Sequence, residues 1–292
     1  MKKRFLIISL LVICLVLLSC SSGRGTVVVG AKDFTEQYIL GHMLELYIEA
    51  NTKINVDLKT DMASDVIFAG MRTGVIDIYV EYTGTVYGSY LVRSDSRNPE
   101  EVFNVTSTTL LDRYNIHMLE PLGFNNAYHL AVRRDTSVLY DLRTISDLAK
   151  VSSDFIIGGS AEFLTRSDGV PNLKLAYGMN FRAERAIDGT DRYAAINNDE
   201  IQVTEVFSTD GHLIAYDLVV LEDDLHFFLP YQGAIIIRGE IAEQYPELVT
   251  ALSKLSGLLT DDIMAALNYR VDVLGESPRD VAEGFLKLNN LI

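Results

Sequence analysis

The 292-residue chain contains no tryptophan, two cysteines, six prolines and five histidines, and each scarcity removes a class of answer. Cys14 and Cys20 cannot build a disulfide framework or a Cys-rich zinc site. The histidines, His42, His117, His129, His212 and His226, fall at no metal-ligand spacing. No P-loop or G-x-G-x-x-G occurs, and Gly158-Gly159-Ser160-Ala161-Glu162 lacks the closing glycine of a nucleophile elbow. Glu222-Asp223-Asp224 lacks the ordered spacing of a calcium loop and reads as a solvated face. Basic residues number 25 against 40 acidic ones, a net charge of -15, so the surface repels a polyphosphate backbone and nucleic acid is excluded as a partner. Long apolar runs are also missing. The longest, Phe5 to Leu18, reaches only about 21 Å as a helix against a bilayer core of about 30 Å.

What is present points to a folded, exported protein. Apolar residues make up 48% and charged residues 22% of a chain long enough for two domains, each with its own core. Lys2, Lys3 and Arg4 ahead of the short apolar run read as a secretory signal. The junction Leu17-Leu18-Ser19-Cys20 resembles the lipobox of bacterial lipoproteins. That resemblance implies a lipoprotein signal peptide at residues 1–19, lipidation of Cys20 and a membrane anchor through it. Residues 20–25 then form the lipidated cysteine and a polar tether.

From residue 26 onward, β-branched runs alternate with helical periodicity, the pattern of βαβ units around a largely parallel sheet. Strands are expected at 26–30, 54–58, 76–82, 128–133, 155–158, 203–207, 215–221 and 234–238. Helices are expected near 64–71, 99–114, 145–151 and 172–177, with two more at the carboxyl end, capped by Thr260 and by Ser277 before Pro278. Asp33-Phe34-Thr35-Glu36 has the form of a capping box opening a further helix, whose Ile39, Leu40, Met43, Leu44 and Tyr47 recur at helical spacing. No Pro/Gly/Ser-rich linker divides the halves, which suggests that the chain crosses between two lobes more than once.

Six segments occur in a telling order: Gly30-Ala31-Lys32-Asp33-Phe34-Thr35-Glu36-Gln37, Glu81-Tyr82-Thr83-Gly84-Thr85, Phe124-Asn125-Asn126-Ala127-Tyr128, Glu162-Phe163-Leu164-Thr165-Arg166-Ser167-Asp168-Gly169, Ser208-Thr209-Asp210-Gly211 and Pro230-Tyr231. Together they resemble the glycine betaine/carnitine/choline substrate-binding proteins of ABC transporters, from about residue 26 to the carboxyl terminus. The resemblance implies an α/β, two-lobed periplasmic-binding-protein fold of type II with two crossovers, near residues 119 and 224, and a ligand cleft. Residues 26–119 and 224–292 then form lobe 1, and 120–223 form lobe 2. It also implies an aromatic cage from Tyr82, Tyr128, Phe207 and Tyr231, with Lys32, Thr85 and Arg166 toward a ligand carboxylate and Asn126 beside the cage. Phe207 departs from the family, where tyrosine is usual, and loses a hydroxyl. An ABC permease is the implied partner; no cofactor, no metal and no enzymatic step are implied, and a monomer is expected.

Physical chemistry supports such a cage. A trimethylammonium group carries charge but no N–H, so it is held by apolar walls and ring faces, each ring contributing about 0.5 to 2 kcal/mol. With Lys32 and Arg166 at one end, a zwitterion such as glycine betaine, proline betaine or carnitine fits better than choline. Choline, an ergothioneine-like imidazole betaine or an amino acid remain alternatives within the class. An extracellular α/β hydrolase and an adhesive surface lipoprotein are the alternatives outside it. On this reading, Tyr82→Ala costs about 1 to 2 kcal/mol in affinity and leaves the melting temperature unchanged.

Overall fold

The computed structural model describes residues 25–187 and 189–292. The proposed signal, Cys20 and most of the tether therefore lie outside the described residues.

Two five-stranded sheets form the centres of two lobes. The first has the order β2-β1-β3-β10-β4, from β1 (Gly25–Lys32), β2 (Ile54–Met62), β3 (Ile78–Tyr82), β4 (Ile116–Met118) and β10 (Gly233–Arg238). The second has the order β7-β6-β8-β5-β9, from β5 (Tyr128–Arg133), β6 (Ile156–Gly159), β7 (Ala183–Ala186), β8 (Val203–Phe207) and β9 (Leu218–Leu221). The chain passes from the first sheet to the second between β4 and β5 and returns between β9 and β10.

Each sheet is mixed, with four strands running one way and a single strand against them. In the first, β1 runs parallel to β2 and β3, while β10 is antiparallel to β3 and β4. In the second, β6 runs parallel to β7 and β8, while β5 is antiparallel to β8 and β9. The reason is topological. Each crossing segment enters its new lobe from the cleft, at the edge where the parallel strands finish, and must therefore run back against them. This entry places Gly233 opposite Tyr82 and Tyr128 opposite Phe207. The carboxyl ends of parallel strands, where open α/β sheets bind ligands, thus face the entering strands.

The helices follow the apolar spacing. Helix Thr35–Asn51 buries Ile39, Leu40, Met43, Leu44, Tyr47 and Ile48 against the first sheet and the two carboxyl-terminal helices, Asp261–Asp272 and Pro278–Leu288. Thr260 and Ser277 cap those two helices, accepting from Ile263 N and Asp280 N. The expected capping box at residues 33–36 does not form: Phe34 is the cap residue, in extended conformation, with no side-chain cap bond. Glu36 turns inward instead. The strand expected at 215–221 begins only at Leu218, because His212–Ala215 forms a short helical turn.

The two crossings meet each other. Asn125 bridges Gln232 in antiparallel fashion, Asn126 N donates to Tyr231 O at 3.0 Å, and Tyr231 N donates to Asn125 Oδ1 at 2.7 Å.

Candidate functional site

Aromatic rings gather where β5 leaves the first crossing. Tyr128 lies 4.8 Å from Phe207, 5.1 Å from Phe163, 5.2 Å from Tyr231 and 6.1 Å from Phe228, centroid to centroid. Register explains the first pair, since Tyr128 and Phe207 are opposed across the β5–β8 ladder. Phe163 comes from helix Ala161–Thr165, whose cap Ser160 accepts from Phe163 N. Tyr231 arrives on the return crossing and stands edge-on to Tyr128, at 83°. Its ring rests against Gly84, where an added Cβ would lie only 2.6 Å from the ring, so no larger residue fits without displacing the tyrosine.

Tyr82 belongs to a separate group. Its ring partners among the described residues are Phe34 and Phe124, at 6.2 and 6.4 Å. The Lys32 ammonium stands 5.2 Å from its centroid. Its hydroxyl donates to Glu36 Oε1 at 2.7 Å and accepts from Gln37 Nε2 at 3.0 Å. Of the four expected cage rings, Tyr128, Phe207 and Tyr231 therefore sit together, and Tyr82 sits apart. Phe163 and Phe228 join the first group.

Both candidate cations already hold carboxylates. Lys32, 2% exposed, pairs with the fully buried Glu81 at 2.6 Å. Glu81 also accepts from the hydroxyls of Tyr79, at 2.9 Å, and Tyr90, at 3.3 Å, and from Tyr82 N at 2.7 Å. Arg166 donates in two-pronged fashion to Asp168, at 2.8 and 2.5 Å, and to Glu162 at 3.2 Å. Burial pushes the Asp168 carboxyl up, but the Arg166 fork and the Tyr231 hydroxyl outweigh it and hold the group below the usual carboxylate range. Asp168 reaches across the cleft to Tyr231 Oη at 2.7 Å and Ser89 Oγ at 3.4 Å, while Glu162 meets Ser64 Oγ at 3.3 Å.

The remaining expected residues take supporting places. Thr85 is buried at the start of the π-helical turn Thr85–Tyr90, directly after Gly84. Asn126 donates to Glu36 at 2.7 Å. Glu222-Asp223-Asp224 is not simply a solvated face, because Asp223 accepts from Tyr177 Oη and from the backbone of Phe227 and Phe228, and so sets the turn that carries Phe228. A cavity of about 310 Å³ opens beside Asp168, lined by Gly88, Arg93 and Arg97 from one lobe and by Ser167 and Asn172 from the other.

Sequence reasoning missed the acids. Glu36, Glu81, Glu162 and Asp168 lie inside the quoted segments, but the ligand roles there went to the rings, the cations, Thr85 and Asn126. The available signal was adjacency: each motif cation is accompanied by acids at a motif position. Lys32 and Arg166 pair with three carboxylates, Glu81, Glu162 and Asp168, so these ion-pair groups together carry one more negative than positive charge. Such a surface, walled by rings, suits a positively charged group that has no proton to donate.

Residues 25–288 match the family model described as the substrate binding domain of an ABC-type glycine betaine transport system. A Helicobacter pylori protein described as an ergothioneine transport permease/ergothioneine binding protein is 36% identical over 264 residues; the alignment covers 89% of this chain but 47% of that relative, about half its length. The carnitine transport binding protein OpuCC of Listeria monocytogenes is 32% identical over 99% of this chain and 98% of its own. A crystal structure described as a glycine betaine/carnitine/choline ABC transporter superposes with a TM-score of 0.74 at 32% identity, over 91% of this chain and 99% of the other. Lactococcal OpuAC in its closed, glycine betaine-bound form shares the fold, with a TM-score of 0.64 at 15% identity.

Proposed function

Given that the chain belongs to the family of substrate-binding domains of ABC-type glycine betaine transport systems, with their two-lobed type II fold, we propose that it captures a quaternary ammonium compound between its lobes and delivers it to a permease. The family binds and hands over; it is not one of enzymes. The observation that carries the reading is the cluster of Tyr128, Phe163, Phe207, Phe228 and Tyr231 at the cleft edge of the second sheet. Tyr128, Phe207 and Tyr231 wall the methylammonium. Asn126 stands beside them, Tyr82 contributes from the first lobe, and Lys32, Thr85 and Arg166 meet an anionic end. Ligand contacts on both lobes favour the closed state by their differential affinity.

A second reading within the class has its own support. Lys32 and Arg166 are each spoken for by buried carboxylates, so a ligand carboxylate must displace one of them, whereas a choline-like cation displaces none. Titration calorimetry against glycine betaine, proline betaine, carnitine, choline and ergothioneine separates the two. Saturable heat with the carboxylates and not with choline supports the zwitterion, and the reverse supports the cation. Silence with all five overturns both. In this reading the protein works outside the cytoplasm, tethered through lipidated Cys20 and monomeric; mass spectrometry of the membrane-extracted protein tests the anchor.

A further inference from the structure

Glu36 is fully buried and accepts four hydrogen bonds, from Tyr82 Oη at 2.7 Å, Asn126 Nδ2 at 2.7 Å, Thr209 Oγ1 at 2.6 Å and Asn268 Nδ2 at 3.2 Å. The donors come from four distant stretches: the end of β3, the first crossing, the second-lobe loop after β8, and helix Asp261–Asp272. Asn126 Oδ1 and Asn268 Oδ1 are both buried without a partner. Each amide thus gives its N–H groups to the region around Glu36 while its own carbonyl goes unpaired, a cost in free energy that charge-assisted bonds to a carboxylate partly offset. Asn268 Nδ2 also donates to Thr209 O at 3.0 Å, which ties the same loop a second time. Beside it, Gly211 abuts Tyr269 so closely that an added Cβ would lie 2.7 Å from the Tyr269 backbone.

Position gives these bonds their use. Thr209 lies two residues beyond Phe207, and Asn126 two residues before Tyr128, so the carboxylate grips the cleft-side ends of both cage strands from the first lobe. We infer that Glu36 is a positioning residue, a carboxylate clasp that joins the second-lobe loop after β8 to the first lobe in the closed state and thereby sets Phe207 and Tyr128 for the ligand. The clasp rests on the reading of the cleft as a ligand site that closes.

Thr209→Val tests it, since valine keeps the shape of threonine and removes only the second-lobe donor. Glu36→Gln, which keeps size and removes charge, and Thr209→Ser, which keeps the hydroxyl, accompany it. Glycine betaine and choline serve as probes. The readouts are dissociation rate, association rate, thermal unfolding and the ligand-free radius of gyration by small-angle scattering. Thr209→Val should release the bound probe at least about tenfold faster with little change in association, and its ligand-free ensemble should be more expanded. Thr209→Ser should restore both. A wild-type release rate and radius in Thr209→Val, or a lowered melting temperature alone, overturns the clasp. Should the parent bind neither probe, the ligand reading fails, and the radius alone decides the clasp: expansion in Thr209→Val and in Glu36→Gln sustains it, and an unchanged radius ends it.

Discussion

Replacing Tyr128 by leucine asks whether the rings at the cleft act through their electrons or only through their bulk. Leucine keeps an apolar wall and removes a ring face from the centre of a group in which Tyr128 has four aromatic neighbours, at 4.8 to 6.1 Å. Tyr128 is only 8% exposed, so a cation held there is largely stripped of water and the ring contributes toward the upper end of about 0.5 to 2 kcal/mol. Choline and its neutral carbon isostere, in which a quaternary carbon replaces nitrogen, have nearly the same shape. Both lose the same apolar contact in the variant, and only choline loses the attraction between charge and ring. The preference of the protein for choline over the isostere should therefore fall by about 2-fold to about 30-fold in Tyr128→Leu, measured by competitive titration calorimetry. Each lost ring pair also removes about 0.5 to 1.5 kcal/mol of stability, so titrations belong well below the unfolding transition of the variant. An unchanged preference, with both affinities lowered equally, refutes the cage and leaves a merely greasy pocket.

Tyr82→Ala, expected from sequence to spare the fold, should instead lower stability by about 3 to 5 kcal/mol in chemical denaturation, because the ring is buried and its hydroxyl belongs to the Glu36 bond set; Tyr82→Phe should keep most of the affinity. Gly84→Ala should push the Tyr231 ring from its place, costing about 1 to 3 kcal/mol in stability and weakening ligand binding in the same titration. Burial raises the proton affinity of Glu36 against the pull of its four donors. A carboxyl whose folded pKa lies above its unfolded value contributes stability that is complete below the unfolded value and is lost as pH rises through the folded one. The melting temperature of Glu36→Gln relative to the parent should therefore improve as pH rises out of the ordinary carboxylate range. Asp168 has the opposite sign: its contribution is present above the unfolded pKa and fades only as pH falls below the usual carboxylate range, so Asp168→Asn should destabilise the protein at pH 7 and lose that effect in strong acid.

Several elements were legible before any coordinates because their signals are local. The helix Pro99–Tyr114 opens at its proline, and the strands at 128–133 and 203–207 fall where β-branched and aromatic residues cluster. The direction of β5 and β10 was not legible, since it depends on the side from which a crossing enters a sheet, and that is a property of the whole chain path. That the rings at 128, 207 and 231 lie close together follows from the β5–β8 register and the return crossing, which no local segment shows. The fate of Glu36 was hidden, because an acid at a helix start satisfies a cap rule as readily as it satisfies a buried bond set. The bonds of the Tyr82 hydroxyl to Glu36 and Gln37 were hidden too, because they depend on a helix packing against the end of β3.

The pairing of the two crossings, Asn125 with Gln232 and Asn126 with Tyr231, has a mechanical consequence. A single strand between two bodies is a string that permits swivel about any direction. Two strands bonded side by side resemble a leaf spring, which flexes readily about one axis and resists torsion. On the proposed reading, the halves come together along nearly the same arc whatever compound lies between them, and a docking permease meets one outer contour.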